Sequence, residues 1–221
     1  MFMTKTGQVF SIGLAIISSI SLQGQTFVVS NLGQTPPGIW EVVDSGNWRA
    51  TSFTTGSEAT TLQGLVTRIA SFDGSDQDES VALYDNSASN MPGSSVVSFL
   101  DNPQDLGSDG RFRFSYDGTY ELAADTTYWV VFEVDGGTDF DFEVFSTLST
   151  SETGDAGWSI GDTPLLSGDL GSSWSSASRP MQFGIEIIPE PSGYAFAIGI
   201  GLIAFITFRR RKLPIKCKGH F

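Results

Sequence analysis

Hydrophobic and polar residues alternate with a period of two over most of this 221-residue chain. Asp139-Phe140-Asp141-Phe142-Glu143-Val144 sets acids against apolar residues, and Arg111-Phe112-Arg113-Phe114 sets cations against aromatics. Gln182-Phe183-Gly184-Ile185-Glu186-Ile187 repeats the pattern near residue 188. Such alternation predicts antiparallel strands with one dry face and one wet face. Further strands are predicted at 26–30, 39–43, 51–54, 65–71, 80–84, 95–100 and 127–134. Clusters of Gly, Asp, Asn, Ser and Pro separate them, and no long helical stripe intervenes. The expected fold is all-β, an antiparallel β-sandwich of jelly-roll type. Thr150 to Ser178 is richer in Ser and Gly and reads as a long excursion packed by Trp158 and Trp174.

Two segments break this pattern. Residues 192–208 carry no charge, and seventeen residues at helical rise span roughly 25 Å, the short end of what crosses a bilayer core. Arg209, Arg210, Arg211 and Lys212 follow directly, the flank that membrane topology favours on the cytoplasmic side. At the other end, Lys5 precedes an apolar stretch from Val9 to Ile17, and small or polar residues run on to Gly24. That order reads as a secretory signal, with Ser19-x-Ser21 and Gly24 as alternative cleavage positions. The expected organisation is a signal peptide at 1–24, an exported domain at 25–188, a terminal signal at 189–212 with its transmembrane helix at 192–208, and a cytoplasmic tail at 213–221.

Charge sharpens the division. All 25 acids lie between Glu41 and Glu190, whereas six of the twelve cations lie at or beyond Arg209. Five arginines remain in the exported part, which therefore carries about −20 against −13 for the whole chain. Such acidity keeps a domain soluble and makes nucleic acid and anionic lipid poor partners. The only cysteine, Cys217, and the only histidine, His220, follow the apolar segment. A Cys-His or Ser-His-Asp centre is thereby excluded from the exported part, as is a His/Cys zinc site. No catalytic residue and no resident cofactor is expected.

Pro189-Glu190-Pro191, followed by the apolar helix and the arginine cluster, resembles the PEP-CTERM sorting signal of Gram-negative bacteria. The resemblance implies recognition by an exosortase, a membrane-embedded cysteine transpeptidase-like enzyme, and cleavage near the motif. The protein would sit in the inner membrane before processing and in the envelope, surface or extracellular matrix afterwards. The tail from Leu213 to Phe221 departs from the usual form, which stops soon after the basic cluster. Residues 50 to 131 resemble the choice-of-anchor R family of bacterial surface domains through Ala50–Gly56, Ser80–Asp85, Pro92-Gly93-Ser94 and Leu122–Val131. That family implies an envelope role and brings no catalytic residue.

Two further chemistries are open to the residues themselves. Asp73, Asp76, Asp78 and Glu79 crowd carboxylates onto a Gly-bent loop, the hard oxygen donors that calcium takes. The spacing is not that of an EF-hand, since Tyr84 stands at the twelfth position; the plainer reading is a solvated hairpin tip. Asp135–Asp139 is a weaker version of the same pattern. The five tryptophans invite a polysaccharide reading, because sugars stack on exposed aromatic faces. Trp129 lies in a stretch apolar on both faces and is expected in the core. Trp40, Trp48, Trp158 and Trp174 stand beside Gly, Ser and Asn and are expected nearer the surface, with Trp158 and Trp174 as the candidate glycan contacts. A glycosidase needs only two carboxylates, yet no pair among the 25 acids is singled out.

Overall fold

The computed structural model describes residues 27–34, 40–44, 46–71, 79–99, 103–107, 109–134, 142–148 and 152–188. Its first eight strands are β1 (Phe27–Ser30), β2 (Trp40–Val43), β3 (Trp48–Thr54), β4 (Thr60–Ser71), β5 (Glu79–Asn86), β6 (Pro92–Phe99), β7 (Gln104–Asp105) and β8 (Arg111–Ser115). The next eight are β9 (Glu121–Leu122), β10 (Thr127–Val134), β11 (Phe142–Phe145), β12 (Thr153–Gly154), β13 (Ser159–Ile160), β14 (Leu165–Ser167), β15 (Ser175–Ser176) and β16 (Phe183–Ile187). Among the described residues the chain is all-β, as the alternation predicts.

Among the described residues every pairing is antiparallel, and the strands form two sheets. One sheet runs β12-β1-β16-β4-β11-β2, with β8 and β9 also on β4 and β7 on β8. The other runs β15-β14-β3-β10-β5-β6, with β13 on β3. Their facing sides share one core. Phe53 of β3 lies 6.2 Å from Phe183 of β16, and Phe132 of β10 lies 6.3 Å from Phe142 of β11. Aromatic pairs at this spacing seal the space between two sheets.

Strand β10 explains the second, smaller core. Tyr128, Val130, Phe132 and Val134 point into the main core. Trp129 and Val131 point the other way and meet Trp48, Ala50 and Leu165, with Tyr84 and Trp174 alongside. A strand apolar on both faces needs cover on both. The 161–174 excursion helps to provide it: Gly161 N–H donates to Ser52 O at 2.8 Å, and Trp174 folds back over the cluster. Trp129, 1 % exposed, donates its indole N–H to Asn86 Oδ1 at 2.8 Å.

Trp48 departs from its expected exposure. It is only 9 % exposed and donates its indole N–H to the Val134 carbonyl at 3.0 Å. Its polar sequence neighbours belong to the preceding turn, while the side chain itself opens β3. The turn from Ser167 to Ser173 then closes over it. Gly171 has φ +78°, and a Cβ there would stand 2.8 Å from the Trp48 ring. Leu170 takes φ +55° in the same turn, a conformation that costs an L-residue roughly 1–2 kcal/mol. Burying a tryptophan returns about 4–6 kcal/mol on area grounds, so cover wins over strain.

Candidate functional site

The sorting motif, the 192–208 segment and the Arg209–Lys212 cluster lie outside the described residues, as does the signal segment. Among the described residues no helix is long and apolar enough to cross a membrane. What the structure gives is the place where the chain leaves the sandwich. Strand β16 ends at Ile187, and the Ile188 N–H donates to the Thr61 carbonyl at 2.9 Å. Ile188 is 47 % exposed and immediately precedes Pro189. Phe27, which opens β1, pairs with Glu186. The first and last described strands thus have their outer ends side by side.

That end of the sandwich is one-signed. Glu58, Asp85, Asp117, Glu121, Asp125 and Asp155 are all exposed there, and no Lys or Arg occurs in 53–61, 84–93, 115–128 or 153–161. The five arginines of the domain lie outside these stretches, each with an acid. Glu41 takes both Arg49 at 3.0 Å and Arg179 at 3.5 Å. Asp109 takes Arg111 at 2.9 Å and Arg68 at 3.5 Å. Arg113 Nε lies 2.6 Å from Glu186 Oε2. The wet face expected for β16 is therefore covered at this point: Glu186 is 3 % exposed beneath Arg113. Nothing in the alternation distinguishes such a pair from two solvated charges.

Asp73, Asp76 and Asp78 lie outside the described residues, and Glu79 is described only as the first residue of β5. The strands around them are informative. Val134 pairs with Glu79, and Glu143 pairs with Ser71. The 72–78 and 135–141 connections, both acid-rich, therefore join the same two pairs of neighbouring strands. Among the described residues no group of three His, Cys, Asp or Glu side chains is arranged to hold a metal ion.

The two candidate glycan tryptophans do not meet. Trp158 stacks on Phe53 at 6.2 Å with 11° between the rings, on the main-core side of β3. Its indole edge lies over Gly56, where a Cβ would stand 2.8 Å from Nε1. That indole N–H makes no hydrogen bond among the described residues. Trp174 packs with Trp48 in the second core, on the opposite face of β3. Both are partly buried, while Trp40 at the edge of the other sheet is 49 % exposed. A single two-tryptophan platform is not what the fold builds.

Among the described residues two titrations are shifted. Burial first, and then Tyr128, Asp85 and Tyr116, push the Tyr120 phenol up to about 12. Asp169 is held below the usual carboxylate range by Ser173, whose hydroxyl and backbone N–H donate at 2.6 and 2.7 Å, and by the Ser167 hydroxyl at 2.8 Å. Its role is to lock the turn over Trp48. A carboxylate that sequence reading passed over is Glu133, which accepts the hydroxyls of Ser80 and Tyr84 at 2.7 Å each on the outer face of its sheet. Its signal was only an acid interrupting an apolar strand. Compared with known proteins, the chain matches no family model and no curated protein.

Proposed function

We propose that this chain is an exported component of the cell envelope or extracellular matrix, structural or adhesive rather than catalytic. Its signal peptide at 1–24 directs export, and its C-terminal helix at 192–208 holds it in the inner membrane until an exosortase-type enzyme acts at Pro189-Glu190-Pro191. The observation that carries this reading is the order of parts from Pro189 to Lys212, motif, uncharged segment, cationic block. The division of charge supports it, with every acid before Pro191. So does the exit of β16, which brings the chain to the surface one residue before the motif.

Mass spectrometry of the mature protein tests the processing. No peptide beyond the Pro-Glu-Pro region is expected, and an intact C-terminus would reduce the segment to an ordinary anchor. Fractionation should find the shortened form outside the inner membrane.

A second reading, contact with polysaccharide, rests on Trp158, which is partly buried and whose indole N–H makes no hydrogen bond among the described residues. Because Trp158 and Trp174 lie on opposite faces, each is tested alone. Retention on glycan beads that survives both Trp158→Ala and Trp174→Ala removes this reading.

A further inference from the structure

Strand β16 is held unevenly. From Phe183 to Glu186 it pairs residue for residue with Thr67 to Gly64 of β4. The register then slips, so that Ile187 faces Leu62 and Gln63 is passed over. The Gln63 carbonyl instead accepts the Tyr116 N–H at 2.9 Å. On the near side of the slip, Phe183 and Ile185 are fully buried, and Glu186 is clamped by Arg113. On the far side, Ile187 is half-buried and Ile188 exposed, and the Ile188–Thr61 bond holds the end.

The geometry points to Ile187 and Ile188 as a releasable clasp, which unpairs from β4 before the adjoining motif is cut, while the Arg113–Glu186 pair stops the unpairing from entering the core. This rests on the proposed reading of Pro189–Pro191 as a processing motif. A processing enzyme needs free chain on both sides of the bond it cuts, and here the motif begins one residue beyond the last described hydrogen bond. Freeing two residues supplies about 7 Å of extended chain. A bulge marks where a ladder is easiest to end, and strand ends open at far lower cost than cores. When opening is fast relative to cleavage, the rate of cutting follows the open population. The opening step changes only hydrogen bonds and packing. In the cut itself one peptide C–N bond breaks and its nitrogen leaves as an amine with the membrane segment. The acyl carbon passes to the processing enzyme's thiol and then to water or an acceptor amine.

The test uses the full chain carrying Cys217→Ser, co-produced with an exosortase-type enzyme, with Thr61→Cys and Ile188→Cys added. A hydrogen-bonded antiparallel pair holds its Cα atoms about 5.5 Å apart, within disulfide range. Pulse-chase should show the oxidised form shortened at least tenfold more slowly than the reduced form. Six Gly-Ser residues inserted between Ile188 and Pro189 should abolish that difference. Equal rates in the oxidised and reduced forms without the insertion overturn the clasp, as does a locked protein that the insertion fails to rescue. If the parent chain and its insertion variant both remain uncut, the processing reading itself fails and takes the clasp with it. Hydrogen exchange reads the clasp independently of disulfide formation. The Ile187 and Ile188 amides should exchange at least a hundredfold faster than that of Ile185, and equal protection overturns the proposal.

Discussion

Asn31 Oδ1 accepts the backbone N–H of Phe183 at 2.7 Å, and the Asn31 side-chain amide donates to the Met181 carbonyl at 2.9 Å. One buried side chain thus serves a donor and an acceptor where the chain passes between sheets; nearby, Met181 N–H donates to Thr51 Oγ1 at 3.0 Å. Asn31→Ala leaves both backbone groups dry and unmatched, at about 1–3 kcal/mol each. Thermal melting should show a drop of roughly 5–15 °C for a domain of this size. A change within 1 °C would mean that water replaces the amide.

The Ser167–Ser173 turn should loosen in acid. Asp169 titrates below its unfolded value, so its contribution is present above the usual carboxylate range and is lost as pH falls through the lowered folded value. Fluorescence of the tryptophans packed beneath the turn, Trp48 and Trp174, should stay constant down to roughly pH 4 and change only below it. Asp169→Asn should show the altered spectrum already at neutral pH.

Alkali acts at the other end through Tyr120. Its phenol is raised to about 12, so the stability it contributes is complete below the ordinary tyrosine value near 10 and is lost as pH rises towards the folded one. Ultraviolet titration should give an equal ionisation step near pH 10 for the chain and for Tyr120→Phe, since Tyr120 ionises above it. A larger step near pH 10 in the unsubstituted chain than in Tyr120→Phe would contradict the packing of Tyr120 against Tyr128.

Leu170 is exposed and sits at φ +55°. Leu170→Gly removes the steric conflict of the left-handed conformation at the expense of chain entropy. The balance favours the variant by about 0.5–1 kcal/mol, read as a rise of roughly 1–4 °C in Tm. A fall would show that Leu170 packs on Trp174 in solution.

Acidity should make the domain sensitive to salt. Charges near −20 repel one another, and 0.1 M salt shortens that repulsion to about 10 Å. Raising sodium chloride from 10 to 300 mM should raise Tm, with calcium at matched ionic strength giving the same rise. A larger calcium response that Asp76→Asn and Asp78→Asn abolish would place an ion on the 73–79 connection.

The sandwich was legible because alternation is a backbone property that packing rarely overrides. Trp129 was equally readable, since Tyr128, Val130 and Phe132 already occupied the opposite face. Trp48 was not, because its cover comes from Gly171, more than a hundred residues away. Strand β4 begins five residues before the expected Leu65; Gln63 and Gly64 interrupt the apolar pattern, yet Gly64 still pairs with Ser115 and Glu186. The Arg113–Glu186 pair was hidden for the same reason, since each residue alone looks like a charge facing water. The candidate motif stood out as an order of residues, but its distance from the last described hydrogen bond is a matter of register.

The pairing of Phe27 with Glu186 has a practical side. Neighbouring antiparallel strands stand about 5 Å apart, so the first and last described strands have their outer ends almost at one point. A unit with adjoining ends can be spliced into a surface loop of an unrelated host without prying that loop open. Joining its ends by a short peptide and cutting elsewhere, for instance within the exposed Ser87–Met91 turn, should give a permuted protein with the same two sheets.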